Sequence, residues 1–332
     1  MDDLIVKLQE VLGPEKVLAF LEDRIAYSYD GTFAQSLPDV AVLPESTEEV
    51  AAAVRIAAER RVPVVPRGMA SGLAGASIPF SGGIALTLTR MNRILEIDEV
   101  NQTARVEAGI VTAEFQAEVE KLGLFYPPDP SSNKQSTIGG NIACNAGGPR
   151  CIKYGVTGDY VMGLTVVLPD GQVLETGGKA IKNVVGYDLT SLFVGSEGTL
   201  GVITEALLKL VAKPQFVRTA RAEFPSLDDA SRTVNAILSA GIVPATLELM
   251  DETAIECIEE AMQLGLPLDV EAMLIIEVDG SDEDAVVREI ESVARICKES
   301  GARAVEVAQS EEERAELWRA RRSVSPSLAR RA

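Results

Sequence analysis

The sequence predicts an α+β protein built from two successive domains, and three observations carry that reading. Short apolar runs of strand length alternate with capped, amphipathic helical stretches along the chain. Glycine is concentrated in four segments that all precede Lys213-Pro214. Beyond that dipeptide glycine thins out and strands alternate regularly with capped helices. The boundary therefore falls at 213/214, giving a first domain of 1–213 with its core at 40–213 and a second of 214–332.

The elements follow in order. A helical pattern from Leu4 to Leu12 ends at Gly13-Pro14, and Ala41–Pro44 is a short apolar strand. Ser46-Thr47-Glu48-Glu49 is a capping box, opening a helix with Val50, Val54 and Ala57 on its apolar stripe. Val62–Val65 is a buried strand leading into a glycine-rich loop. Strands are expected at Ile84–Leu88, Ile94–Ile97 and Thr103–Glu107, then a helix carrying Phe115, Val119 and Leu122 that stops at Gly123. Leu164–Leu168 and Val173–Glu175 form a hairpin closed at Pro169-Asp170-Gly171, with Gly171 left-handed. The second domain reads as strands at Val217–Phe224, Ala245–Met250, Ala272–Val278 and Arg303–Val307, alternating with helices from Ser226, Asp251, Ser281 and Ser310. That order packs helices on a mostly antiparallel sheet. The last helix runs into LARRA with no closing strand, so this domain reads as cut short.

Charge and composition narrow the function. With 31 basic and 50 acidic residues the net charge is −19, a surface that repels nucleic acid and anionic lipid. A carboxylate substrate would need local basic residues. No apolar run approaches a membrane span, and the acidic N-terminus is not a signal peptide, so no membrane insertion is expected and the chain reads as cytoplasmic. Four cysteines read as reduced thiols rather than a disulfide framework. The chain contains no histidine, which removes the commonest general base, the commonest metal ligand and the usual flavin tether. No metal site is expected.

The four glycine-rich segments hold the unusual chemistry. In PRGMASGLAG, residues 66–75, glycines at 68, 72 and 75 let consecutive N–H groups converge on an anion, with Ser71 adding a hydroxyl and Arg67 charge. The spacing fits neither the Walker loop nor GxGxxG, and a plain strand-to-loop turn explains this segment equally well by itself. The second segment, residues 127–155, sets Ser131, Ser132, Thr137 and Asn141 among Gly139, Gly140, Gly147, Gly148 and Gly155. It would make a poor core and suits a backbone laid against a large polar-rimmed ligand. The third is GGKAIKNVVGYDLTSLF, residues 177–193. The fourth, residues 194–210, is a tight glycine turn feeding a strand. There Glu197 either accepts from a ribose hydroxyl or caps its own loop.

Taken in order, PRGMASGLAG, PPDPSS, TIGGNIACNAGG, KNVVGYDL and FVGSEGTLGVIT resemble the FAD-linked oxidases of the p-cresol methylhydroxylase/vanillyl-alcohol oxidase superfamily. Within it the match is to the branch of the glycolate oxidase flavoprotein subunit and the D-lactate and D-2-hydroxyglutarate dehydrogenases. The resemblance is specific over 40–213 and weaker over 214–332. It implies a two-subdomain FAD-binding PCMH-type domain followed by an incomplete α+β cap, or substrate, domain. It implies that Pro66, Arg67, Gly68, Met69, Ala70, Ser71, Gly72 and Leu73 wrap the FAD pyrophosphate. Pro128, Ser131, Ser132, Thr137, Gly139, Gly140, Asn141 and Ala143 would line the ribityl and flavin side. Glu197, Gly198, Gly201 and Ile203 would meet the adenosine end, with Ile203 offering backbone groups to adenine. Ala70 stands where the family usually shows glycine, and a positive φ there would cost about 1 kcal/mol. FAD is expected to be non-covalent.

Near the C-terminus LWRARRSVSP resembles the family's LWxxR segment, which implies that Arg321 grips a substrate carboxylate and Ser325 assists. Guanidinium chemistry suits that role, while five arginines after residue 318 also fit a basic helix end. The family's chain continues to a segment rich in His and Gly that supplies the base and, in several members, a divalent metal. That segment is not seen here. Lys153, Tyr154 and Lys182 lie near the flavin motifs, but no spacing argument makes any of them the base.

The resemblance implies oxidation of a small 2-hydroxy acid of the glycolate or D-lactate type to the 2-oxo acid, with hydride passing to flavin N5. Electrons would go on to a quinone or to an iron–sulfur or second flavoprotein subunit, with peripheral membrane attachment only through such a partner. Two alternatives remain open: a non-catalytic FAD-binding subunit or truncated fragment of such a complex, and a reductase of the same fold acting on an enolpyruvyl sugar. PPDPSS and KNVVGYDL point away from the reductase.

Overall fold

The computed structural model describes residues 2–331, which separate into two compact units. The first comprises residues 2–147 and 156–213 and holds two sheets. In one, strands Val40–Val42 and Val64–Arg67 run parallel to the strand between them, Ile84–Thr87, and Val17–Leu18 closes the edge antiparallel. Val40–Val42 and Ile84–Thr87 are buried along their whole length, as expected of a parallel sheet covered on both faces. Helix Thr47–Arg60 makes the crossover from Val40–Val42 to Val64–Arg67. Ser46 accepts from the Glu49 N–H at its start, and Arg61 at φ 54° ends it. The Val50, Val54 and Ala57 stripe is buried, as the capping box and spacing predict.

The other sheet is antiparallel, in the order Ile94–Asp98, Thr103–Glu107, Val202–Lys209, Val161–Val167, Val173–Gly177. Its central strand, Val202–Lys209, is the one fed by the fourth glycine segment. The predicted hairpin forms, with Gly171 at φ 79°. Thr47 Oγ1 donates to Thr204 Oγ1 at 2.9 Å, a buried bond that ties the crossover helix to this second sheet. The glycine-rich stretch at 127–155 is more ordered than its composition suggests. It contains helix Ile138–Cys144, whose N-cap Thr137 accepts from Gly140 N–H and whose end is set by Asn145 at φ 48°.

The second unit comprises residues 148–155 and the chain from Pro214 onward. Its antiparallel sheet runs Thr246–Asp251, Ala272–Gly280, Phe216–Phe224, Ala304–Val307. One face of the central pair, with Ala220, Ala222, Leu274, Ile276 and Val278, packs on helices Leu227–Ser239 and Glu283–Glu299. The other face carries Met273 and Ile275 against helices Glu252–Met262 and Glu311–Arg322 through Ile255, Ile258 and Ala320. Residues 148–155 lie inside the stretch that sequence assigns to the first domain. They group with the second unit because Lys153 Nζ bonds both the carbonyl (2.7 Å) and the carboxylate of Asp279, whose other oxygen accepts from Tyr154 Oη at 2.7 Å.

Candidate cofactor site

Strand Val64–Arg67 delivers the chain into a cavity of about 560 Å³ in the first unit, within the usual range for a cofactor pocket. Residues 66–73 all line it. So do Ser132, Thr137, Gly139, Gly140, Asn141 and Ala143 from the second glycine segment, and Glu197, Gly198, Gly201 and Ile203 from the fourth. Pro128 and Ser131 do not reach the wall. Pro128 is buried with its carbonyl taken by Gln116 Nε2 at 2.9 Å, and Ser131 is exposed. Their neighbours Pro130 and Ser136 line the cavity instead.

Two close approaches show how the three segments meet. A Cβ on Gly68 would stand 2.2 Å from Thr137 Oγ1, the atom that caps helix Ile138–Cys144. A Cβ on Gly198 would stand 2.6 Å from Pro66 Cγ, and Gly198 itself is at φ 76°. Gly195 N–H donates to the Ile142 carbonyl at 3.0 Å and Glu197 N–H to the Ala143 carbonyl at 2.9 Å, which straps the fourth segment onto that helix. Ala70 and Glu197 both adopt left-handed backbone, φ 53° and 50°, so the position where glycine was expected does require positive φ.

The loop is built to receive something polar. From Gly68 to Ala76 no backbone N–H donates a hydrogen bond among the described residues. Unmade donors in a cavity wall are costly unless a ligand or water takes them. Arg67 is buried beneath the loop, its Nη1 donating to the Tyr27 carbonyl at 2.8 Å while Nε has no partner. Burial pushes its pKa down, with Tyr27, Asp30 and Tyr29 pulling it back. Its positive charge thus lies under the open donors and completes an anion cradle.

Sequence reasoning missed Asp30, Ala74, Ala76, Ser77, Leu88, Ala108, Cys144 and Ala146, which also line the cavity. Asp30 is the informative one. Its Oδ1 accepts from Thr32 N–H (2.8 Å) and Thr32 Oγ1 (2.7 Å), and the adjoining Gly31 N–H donates to the Gly72 carbonyl at 3.0 Å. The Asp30-Gly31-Thr32 turn thus buttresses the loop from behind, and its Asx pattern was the available signal. Cys144 is exposed at the cavity wall, yet partial desolvation, followed by the charge of Glu197, pushes its thiol pKa up. A protonated thiol is a poor nucleophile.

In the second unit Arg321 is half-buried and its Nε donates to Glu248 Oε2, while Ser325 is exposed. No group of three or more Cys, Asp or Glu among the described residues is arranged to hold a metal.

Comparison with known proteins agrees with this geometry. Residues 38–177 match the FAD binding domain, and residues 213–332 match the C-terminal domain of FAD linked oxidases. The chain is 50% identical over 329 residues to glycolate oxidase subunit GlcD of Bacillus subtilis (strain 168), covering 99% of this chain and 70% of that one. Against GlcD of Escherichia coli (strain K12) it is 38% identical, covering 98% and 65%, and against D-lactate dehydrogenase of Anaerostipes hadrus 36%, covering 96% and 68%. The chain thus spans roughly two thirds of the length of these relatives. Among solved structures, alkyldihydroxyacetonephosphate synthase superposes with a TM-score of 0.82 at 25% identity, covering 99% of this chain and 64% of that one. Substrate-bound p-cresol methylhydroxylase gives 0.82 at 18%, covering 95% and 68%, and so shares the fold. With donors, buried cation and cavity size all suited to a dinucleotide, the chain belongs to the FAD-linked oxidase family, and its cofactor is FAD.

Proposed function

We propose that this chain carries out FAD-dependent oxidation of a small 2-hydroxy acid of the glycolate or D-lactate type to the 2-oxo acid. The observation that carries the reading is the run of unmade backbone donors from Gly68 to Ala76 above the buried Arg67 guanidinium. It is a cradle for a diphosphate, in a chain half identical to a glycolate oxidase subunit. The Gly68–Ala76 donors and Ser71 hold the FAD diphosphate, and the walls at Thr137, Gly139, Gly140 and Gly201 exclude water along the rest of the cofactor. Bound flavin supplies a two-electron acceptor. Arg321 binds the substrate carboxylate and Ser325 adds a hydroxyl donor, which orients the hydroxyl-bearing carbon.

FAD is held without a covalent bond, since the chain has no histidine and the Cys144 thiol is kept protonated. Electrons leave to a quinone or to an iron–sulfur or second flavoprotein subunit, a reading supported by the word "subunit" in the names of the GlcD relatives. A second reading, an FAD-binding subunit without turnover, is favoured by the absence of histidine as a base.

The test begins with the visible spectrum of the purified chain before and after acid precipitation. Flavin colour released into the supernatant is expected. Anaerobic addition of glycolate or D-lactate then separates the two readings, since bleaching of the flavin band marks turnover. A folded, colourless protein that takes up no added FAD would overturn both.

A further inference from the structure

On the sheet face beneath helix Glu311–Arg322, the central strand of the second unit changes character along its length. Met273 and Ile275 are buried with Met250, Ile255 and Ala320, and then Glu277 and Asp279 follow on the same face, both more than nine-tenths buried. The register sets Glu248 opposite Ile275 and Thr246 opposite Glu277, so Glu248 and Glu277 are diagonal neighbours. Each carboxylate holds one residue of the helix. Glu277 Oε2 accepts from Trp318 Nε1 at 2.9 Å and from Thr219 Oγ1 at 2.8 Å, and Glu248 Oε2 accepts from Arg321 Nε. Trp318 and Arg321 are three residues apart and share a helix face, so the helix is registered on the sheet at two points.

The way Arg321 is held differs from that of seven other arginines of this unit. Arg218, Arg221, Arg232, Arg295, Arg303, Arg314 and Arg331 all pair through a terminal nitrogen, Nη1 or Nη2. Arg321 is held through Nε alone. Neither of its Nη groups makes a hydrogen bond among the described residues, and its side chain is 27% exposed. The fork that matches a carboxylate bidentately is therefore left open.

We propose that Glu248 is the positioning residue for this guanidinium, fixing its roll through Nε while its charge offsets that of Arg321. The proposal rests on the reading that Arg321 receives the substrate carboxylate. Fixing the roll orients that carboxylate firmly. The neighbouring negative charge keeps the ground-state grip weak, which limits uniform binding that adds nothing to kcat and lets the 2-oxo acid product leave.

The two effects are separable, because Glu248→Gln keeps the acceptor oxygen and removes the charge, whereas Glu248→Ala removes both. The test uses the full chain loaded with FAD, titrated with glycolate in a calorimeter. The Arg321 Nε–Hε resonance, assigned by its loss in Arg321→Lys, is followed in parallel. Glu248→Gln is expected to tighten glycolate binding by ~3-fold and Glu248→Ala to weaken it by ~10-fold, opposite shifts that a merely structural role would not give. The resonance should exchange slowly in the wild type and fast in Glu248→Ala. Shifts in the same direction, or none, overturn the proposal, as does a fast-exchanging resonance in the wild type. A slowly exchanging resonance with no glycolate or D-lactate binding by any variant overturns the hydroxy-acid reading instead, and the role of Glu248 with it.

Discussion

Gly68→Ala tests whether the first two glycine segments close on each other as the structure shows. The new Cβ would stand 2.2 Å from Thr137 Oγ1 and 3.2 Å from Thr137 Cβ. Only the hydroxyl is in serious conflict, and it must retreat by most of an ångström. That atom also caps helix Ile138–Cys144 by accepting from Gly140 N–H at 3.2 Å. Overpacking of this kind costs about 1–3 kcal/mol, and losing a threonine cap about 1 kcal/mol. Because FAD needs both segments in place, part of the strain appears as lost affinity, and ~2 kcal/mol is about a 30-fold rise in Kd. The assays are thermal unfolding of the apo chain and flavin-fluorescence quenching on titration with FAD. Thr137→Ala supplies the control: it removes the clashing oxygen, so the double variant should cost about 1–2 kcal/mol less than the sum of the singles. Gly72→Ala is the contrast, since its Cβ would meet nothing within 4 Å. It should leave apo stability alone and weaken FAD only. If Gly68→Ala unfolds at the wild-type temperature and binds FAD within about 3-fold of wild type, or if the double variant is additive, the loop does not close on Thr137 and the cradle is drawn wrongly.

Two further outcomes follow from backbone strain and from the thiol in the wall. Ala70 sits at φ 53°, so Ala70→Gly relieves about 1–2 kcal/mol of left-handed strain against about 0.4–1 kcal/mol of added unfolded-state entropy. A small net rise in the unfolding midpoint of the apo chain is expected, and a fall would show that the loop relaxes out of this conformation in solution. Burial first and Glu197 second push the Cys144 pKa up from its ordinary 9.0, so the thiol stays protonated through neutral pH and ionises only above its usual range. Iodoacetamide should therefore label Cys144 slowly at pH 7 and faster with rising alkalinity. Glu197→Gln should speed the labelling at pH 7 by lowering that pKa, and bound FAD should block it. Peptide mapping by mass spectrometry reads all three, and an unchanged rate in Glu197→Gln would refute the electrostatic part.

The parts of this molecule that sequence made legible are those written in short-range chemistry. Ser46 followed by Glu49 specifies a capped helix because both partners lie within one turn, and the Ser46 hydroxyl does accept from Glu49 N–H. Gly171 marks a hairpin because only the turn itself decides its φ. The glycine-rich segments were readable as ligand-facing because a wall of backbone donors leaves its mark in composition, wherever the other walls come from. Pro128 and Ser131 show the limit of that reading. A motif gives the neighbourhood, whereas the choice between Ser131 and Ser132 for the wall is made by the direction of the chain at that point. At Asp30 the Asx pattern marks a turn but not its partner, since its loop meets Gly72 only once the parallel sheet has formed.

The segment at 148–155 is the sharpest instance, because its glycines at both ends make it read as one piece with the cofactor loop. Its grouping is decided instead by the Asp279 carboxylate, 125 residues on from Tyr154, which takes both Tyr154 Oη and Lys153 Nζ. The same holds for Arg321. Five arginines near the C-terminus are alike in sequence, and what sets one apart is the carboxylate it finds across the sheet and the nitrogen through which it is held. Composition can say that an anion will be bound. Which cation is left with an open fork to bind it depends on how the other charges have been paired, and in a chain carrying −19 that pairing is a property of the folded sheet rather than of any local run of residues.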